Sequence, residues 1–510
     1  MLASFSTLDT IIVIVYLAIS VGIGLLANRF ITGMTGYLVA GRSLGTALSI
    51  ATMTGSELGL ITVMYQAQKG YEDGFKALHI GVIAGVITLL VGLTGFVVVR
   101  LRRSGVLTIP EFYQQRFGKR VRILGGVLLA LGGILNMGLF LQVGGQFVVA
   151  ATGLDPDGAM LKLVMTGLLV LVLVYTVLGG MVSVVLTDYV QFVVLSIGLI
   201  FMVMLVIDHF GMDTIVEIWG RHRGPEAFDP VKGHGPGYMS WQAVIGFVSC
   251  AIWPTAVTRA LSARDERVVR RQYAFSSIPF MIRFLIPCFM GIAAYVFLIE
   301  AGAVFLEDGS FQMPHPEYGW GGGEEYASIQ AFPVMLRELL PVGVLGLITA
   351  AMLAAFMSTH DSYLLCWSSV IARDVIAPLR GFSTEAQQLL WTRIGIVVIG
   401  VWVLFWGIAY TPQQAVWEYL GITGAIYFTG AIVVLVAGLY WKRASSVGAA
   451  LALCSGFAAL LGLGAVKKSL GVGHWDAEWI GLATLGLAAI AMIAGSLLFP
   501  DRENPAVEEA

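Results

Sequence analysis

Charge is scarce in this 510-residue chain: Asp, Glu, Lys and Arg together make up 12%, against roughly 25% in ordinary globular proteins. With 30 basic and 32 acidic residues the formal net charge is −2, so there is no basic surplus to hold nucleic acid. Cysteine is scarcer still, and Cys250, Cys288, Cys366 and Cys454 each lie in an apolar run. They read as small buried hydrophobes, not as a disulfide framework. No His-Glu-x-x-His pattern and no cysteine–histidine metal spacing occurs. Gly41-Arg42-Ser43-Leu44-Gly45 fits the nucleophile pattern G-x-S-x-G, but that pattern needs a strand–turn–helix setting and here it borders an apolar span. A basic leader region is missing from Met1–Asp9, and the first apolar run continues to Ala27, which reads as a retained helix and not a cleaved signal. An enzyme is not expected.

Apolar residues fill the space that charge leaves. They make up 57% of the chain, and the mean hydropathy is +0.84. About 20 apolar helical residues cross a bilayer, so run length predicts about thirteen transmembrane helices. They fall at 10–29, 44–70, 74–100, 121–153, 158–178, 182–208, 240–263, 273–300, 342–373, 388–409, 413–440, 445–466 and 477–499. The expected fold class is an all-α polytopic membrane protein set in a lipid bilayer, in the cell (inner) membrane. Lys and Arg favour the cytoplasmic side. With the N-terminus outside and the C-terminus cytoplasmic, 20 of the 30 basic residues face inward, and Arg283 is left inside a span. Thr108–Arg122 reads as an inner surface helix, with Pro110 in its first turn and a basic end.

Three spans are interrupted by polar or helix-breaking residues. In Gly343–Asp374, Ala355, Ser358, Thr359 and Ser362 fall at i, i+3, i+4 and i+7 and share a face. Two adjacent hydroxyls beside a small residue offer hard oxygen ligands to a desolvated cation. A lone hydroxyl in a membrane helix more often bonds back to its own backbone. His360 and Asp361 are different, because ionisable groups at membrane depth are costly and mark function. In span 44–70, Gly55-Ser56-Glu57-Leu58-Gly59 weakens the helix at mid-depth, and irregular backbone survives in a membrane only where it lines a cavity or binds something. The competing reading is close helix packing through Gly55 and Gly59; Glu57 between them favours a site. In span 240–263, Pro254 breaks the helix after Trp253. Two interrupted helices, each opening a group of five spans, point to a transporter built from inverted repeats.

The residues LVAGRSL (38–44), TIPEFYQQRFGKRVR (108–122), YTVLGGMVSVVLTDYVQ (175–191), AAMLAAFMSTHDSYLLCWSSVIARDV (350–375) and GLYWKR (438–443) occur in the order and spacing of the sodium:solute symporter family, which the chain resembles over nearly its whole length. The resemblance implies a LeuT-type fold: one extra N-terminal helix (10–29), two inverted five-helix repeats (44–208 and 240–440) and two C-terminal helices (445–499). It implies Na+ as the coupling ion, held by the carbonyls of Gly55, Leu58 and Ala355 and the hydroxyls of Ser358 and Thr359. A second sodium at Asp188 is implied by some members. Positions matching the family's solute site are Glu57, Gln66, His79, Asn136, Gln142, Trp253, Thr255 and Tyr419, with His360 and Asp361 in coupling or gating. Glu57 stands where sugar-carrying members have asparagine, and His360 departs from the usual pattern.

The function expected is sodium-coupled symport of a small polar organic solute by alternating access, with no nucleic acid or protein partner implied. Glu57, His79, His360 and Asp361 keep a proton-coupled symporter of the same fold as the alternative. A transporter-like solute sensor without a fused signalling domain is a third reading.

Overall fold

Two helices stop and restart in mid-membrane, and the rest of the bundle is arranged around those breaks. The computed structural model describes residues 5–27, 40–154, 158–314, 325–381, 384–410 and 415–501. The ends of the expected spans at 28–29 and 413–414, residues 38–39, Arg29 and Arg502 lie outside them. Helix α1 covers Thr7–Ala27, α2 Thr46–Glu57, α3 Leu60–Asp73 and α4 His79–Thr94. Between α2 and α3, Leu58 (φ −94°, ψ 65°) and Gly59 (φ −89°, ψ 166°) leave the helical region. The unwound stretch expected from the Gly55–Gly59 sequence is present.

Helix α5 runs over Gly158–Phe210, α6 over Pro230–Ile252, α7 over Pro254–Ser262 and α8 over Glu266–Glu300. The second break is at Trp253 (φ −60°, ψ 121°). A residue before proline is pushed out of the helical region by the ring, and Pro254 then opens α7, where its missing N–H costs nothing. Helix α5 is continuous where the sequence suggests two spans at 158–178 and 182–208: Gly179-Gly180 does not interrupt the hydrogen-bonded helix. Its 53 residues rise about 80 Å at 1.5 Å each, more than twice the roughly 30 Å thickness of a bilayer core.

Helix α9, Val344–Val370, is followed by a π-helical turn at Ile371–Ile376, and α10 covers Val416–Tyr440. Among the described residues nine helices are long and apolar enough to cross a membrane, or ten if the pair Ser446–Gly462 and Gly464–Leu470, bent by 82°, forms one span. Thr7–Gly22 and Gly158–Val174 are shorter apolar helices. The architecture is all-α and compatible with about thirteen spans, apart from a loop sheet of three two-residue strands at Val304–Phe305, Phe311–Gln312 and Glu325–Tyr326.

Close helix contact depends on small residues, as it does where lipid removes the usual hydrophobic drive. A Cβ on Gly70 of α3 would fall 1.9 Å from the Cys288 carbonyl oxygen of α8, and one on Gly291 of α8 would fall 1.8 Å from the Ala67 carbonyl oxygen of α3. The far ends of the two broken spans meet as well. The Leu44 N–H donates to Ser262 O (3.2 Å) and the Arg264 N–H to Leu44 O (3.1 Å), a short parallel bridge between the entry to α2 and the exit of α7. Helix α1 caps α9: Asp9 Oδ1 accepts from the N–H groups of Gly343 and Gly346, both at 2.7 Å. A carboxylate is well placed at a helix N-terminus, whose first N–H groups lack partners.

Candidate ion and solute site

The hydroxyl-bearing face of α9 lies against the break between α2 and α3. Ser358 Oγ is 3.0 Å from Ala355 O and 3.5 Å from Gly55 O, and Thr359 Oγ1 is 3.0 Å from Ala355 O. Gly59 comes so near that an added Cβ would sit 1.9 Å from Thr359 Oγ1 and 3.4 Å from Ala355 O. Ala355, Ser358 and Leu58 are buried, and Thr359 reaches the wall of a cavity. The helix period and the break thus bring the carbonyls of Gly55 and Ala355 together with two hydroxyls, and only glycine at 59 leaves room beside them. Hard oxygen donors of this kind suit a small monovalent cation, and all of them are neutral, so a single positive charge is not over-compensated.

Behind this cluster is a second polar group. Asp188 on α5 accepts on Oδ2 from Thr52 Oγ1 (2.8 Å) and Ser56 Oγ (2.6 Å), and Arg259 Nη2 of α7 lies 3.3 Å away. Arg259 also donates to Ser56 Oγ, to Ser362 Oγ (2.7 Å) and to Thr255 O (3.3 Å). Gly55 lets α5 approach, because a Cβ there would meet Asp188 O at 2.9 Å. Asp188 therefore already shares its buried carboxylate with a guanidinium.

On the other side of the breaks is a cavity of about 550 Å³. It runs from Ser56, Glu57 and Thr359 past Tyr65 and Trp241 to Lys69, Asp73 and His234. Its floor holds an ion pair. Glu57 Oε2 is 3.3 Å from Arg283 Nη1, Arg283 Nη1 donates to Glu57 O at 3.0 Å, and Thr255 Oγ1 donates to Glu57 Oε1 at 2.5 Å. Rings of Phe280 and Phe284 flank the guanidinium, their centroids 3.9 and 4.5 Å from its carbon, a cation–π arrangement that replaces lost hydration.

Of the residues named from sequence, Glu57, Asn136 and Trp253 line this cavity, and Thr255 holds Glu57. Asn136 donates to Leu420 O (2.9 Å) and Thr423 Oγ1 (3.1 Å), and Trp253 Nε1 to Tyr363 Oη (3.0 Å). Gln66, His79, Gln142 and Tyr419 are not among the lining residues. Tyr419 Oη donates to Leu135 O (2.7 Å), and His79 packs against His234 and Tyr238. His360 is enclosed between Phe356 and Phe140, its Nδ1 2.9 Å from Phe356 O, and Asp361 Oδ1 accepts from Ser362 Oγ at 3.2 Å. Neither reaches the cavity wall. Sequence reasoning missed Arg283 as a site residue. The signal was its position, a lone arginine inside an apolar span.

The chain has relatives among known transporters. The chain is 24% identical over 468 residues to sodium/proline symporter 2 of Staphylococcus saprophyticus, covering 88% of this chain and 84% of that one. It is 25% identical over 480 residues to a sodium/glucose cotransporter of Vibrio parahaemolyticus (87% and 82%), and 26% identical over 509 residues to the dog sodium/myo-inositol cotransporter (92% and 68%). A solved structure of a Na+-coupled sialic acid symporter, in a substrate-bound outward-open state, superposes with a TM-score of 0.79 at 18% identity, covering 98% of this chain and 100% of that one. The structure of MhsT with L-phenylalanine gives 0.52 at 12% identity (89% and 98%). These neighbours share the LeuT-type fold. Broken helices, an oxygen-lined pocket and a cavity beside it are what a sodium-coupled solute carrier needs, and a carrier rather than an enzyme is what the family model matched over residues 37–456 describes: the chain belongs to the sodium:solute symporter family.

Proposed function

We propose that this protein is a secondary active transporter that moves a small polar organic solute inward with Na+ by alternating access, built as repeats 44–208 and 240–440. The cation sits among the carbonyls of Gly55, Leu58 and Ala355 and the hydroxyls of Ser358 and Thr359. The single observation that carries this reading is the contact between the α2–α3 break and the α9 hydroxyls at Gly59. Relatives named for proline, glucose and myo-inositol support a small polar cargo.

With the N-terminus outside and the C-terminus cytoplasmic, the cavity opens outward through Asp73 and His234, and the Leu44–Arg264 bridge closes the inner ends. An ion bound here joins α2 to α9 and so favours this outward-facing arrangement; charge that crosses the membrane field gains about 2.3 kcal/mol per 100 mV. Solute then closes the cavity, and inward opening separates the two helices that shared the ion.

The test is Ser358→Ala combined with Thr359→Ala, assayed by thermal unfolding in sodium against potassium at equal ionic strength. Wild-type protein gains stability saturably with sodium, since a ligand of the folded state alone contributes about 2.7 kcal/mol at a hundredfold excess over Kd. The double variant loses that gain while remaining folded. An unchanged sodium response in the variant would overturn the assignment.

A further inference from the structure

The cavity floor says what kind of solute the site takes, an inference that rests on the transport reading above. Arg283 comes from the middle of α8, whose neighbouring residues are apolar, and reaches the break next to Glu57. A desolvated charge at that depth is retained only with a partner, and here each charge has one. Both side chains line the cavity and are only about nine-tenths withdrawn from solvent, with 11% and 12% of their side-chain surface exposed. The pair is therefore the floor of the binding space and not part of the packed core.

Each member keeps bonding capacity. A guanidinium has five N–H donors in a fixed fork. In Arg283 the contacts with Glu57 use Nη1, and Nη2 makes no hydrogen bond among the described residues. Glu57 also ends α2, so its carboxylate adds to the negative end of that half-helix, and Leu60 opens α3, whose N-terminal end is positive. One side of the floor thus attracts a cation and the other an anion, a few ångströms apart. Above them the walls are aromatic: Tyr65 and Trp417 lie 5.2 Å apart by centroid, Phe284 and Trp417 6.2 Å, and Trp253 and Phe428 5.0 Å.

We propose that the solute is a zwitterion of amino-acid type, its carboxylate received by Arg283, its ammonium group by Glu57 and its apolar part by the aromatic walls. A simple anion would draw Arg283 away and leave Glu57 desolvated without a counter-charge, and a simple cation would do the reverse to Arg283. A zwitterion keeps every charge paired. A neutral polyol would have to compete with an ion pair already made.

The experiment measures thermal stabilisation of the full-length protein in saturating sodium. The probes are the twenty standard amino acids, the deaminated acids isovalerate and 3-phenylpropionate, the amines isobutylamine and phenethylamine, and glucose and myo-inositol. The expected result is stabilisation by one or more zwitterions and by neither the matching acid nor the matching amine. Arg283→Lys keeps the charge but not the fork and should raise the half-saturating concentration roughly tenfold or more; Glu57→Gln should shift preference toward the deaminated acid. Both variants are scored only after their sodium response shows that they fold. Stabilisation by glucose, myo-inositol or a plain carboxylate, or by no zwitterion, overturns the inference and leaves sodium coupling standing. Absence of any sodium response in the wild-type protein overturns the transport reading itself.

Discussion

Arg259 Nη2 lies 3.3 Å from Asp188 Oδ2, and both side chains are 1% exposed or less. The two come from helices on different halves of the molecule, and the guanidinium also reaches Ser56 and Ser362, so the pair joins α2, α5, α7 and α9 at one point. Breaking such a pair on one side leaves an uncompensated buried charge, which costs about 3–5 kcal/mol. Arg259→Ala should therefore lower stability by that order, measured as loss of folded protein on heating. Asp188→Asn combined with Arg259→Gln should lose clearly less than Arg259→Ala.

The same relationship bears on how many ions bind. Arg259 already supplies Asp188 with one positive charge inside the protein. The sodium titration of wild-type stability should follow a single-site curve, with a Hill coefficient near 1. A coefficient near 2 that falls to 1 in Asp188→Asn would instead place a second sodium at this carboxylate.

Gly59→Ala should remove the sodium response as surely as removal of the α9 hydroxyls. The new Cβ would fall 1.9 Å from Thr359 Oγ1, so the break and α9 must part. Overpacking of this kind costs about 1–3 kcal/mol. A Gly59→Ala protein with wild-type sodium affinity would show that the break and the hydroxyls do not share an ion.

His360 offers a direct comparison of sodium with proton coupling. Its ring is held between Phe356 and Phe140, away from the cavity wall. His360→Gln should retain sodium-dependent stabilisation at both pH 6 and pH 8. Loss of a pH-driven uptake in this variant, with uptake independent of sodium, would favour the proton.

Asp9→Ala should lower stability by about 1 kcal/mol, the usual scale for losing a helix cap, because Gly343 and Gly346 lose their acceptor. Sodium affinity should not change, since the α9 N-terminus lies about four turns from Ser358.

The hydroxyl face of the proposed cation site was legible in the sequence because a helix period places it. Ala355, Ser358 and Thr359 must share a face of any helix, and Gly55 and Gly59 mark a break wherever that helix runs. The proposed solute half was not legible for a matching reason. Arg283 and Glu57 are 226 residues apart, and nothing in the apolar run around Arg283 states which neighbour it faces. Gln66, His79, Gln142 and Tyr419 are polar residues in spans, but polarity does not give direction, and none of them lines the cavity. Pro254 announced its break through backbone sterics, whereas run length divided 158–208 into two spans where α5 is continuous.

In the proposed alternating-access cycle, the two backbone bonds that tie Leu44 to Ser262 and Arg264 also make the inner gate a clock. Backbone hydrogen bonds are each worth only about 0.5–1.5 kcal/mol net, so this latch can yield during every cycle while the surrounding helices stay intact. On that proposal the amide protons of Leu44 and Arg264 are shielded while the latch holds, and their exchange with deuterium should count the visits to the inward-open form. Sodium that favours the outward form should slow those two amides while leaving the core of α9 untouched, so the turnover of the whole machine is written in two protons far from its cargo.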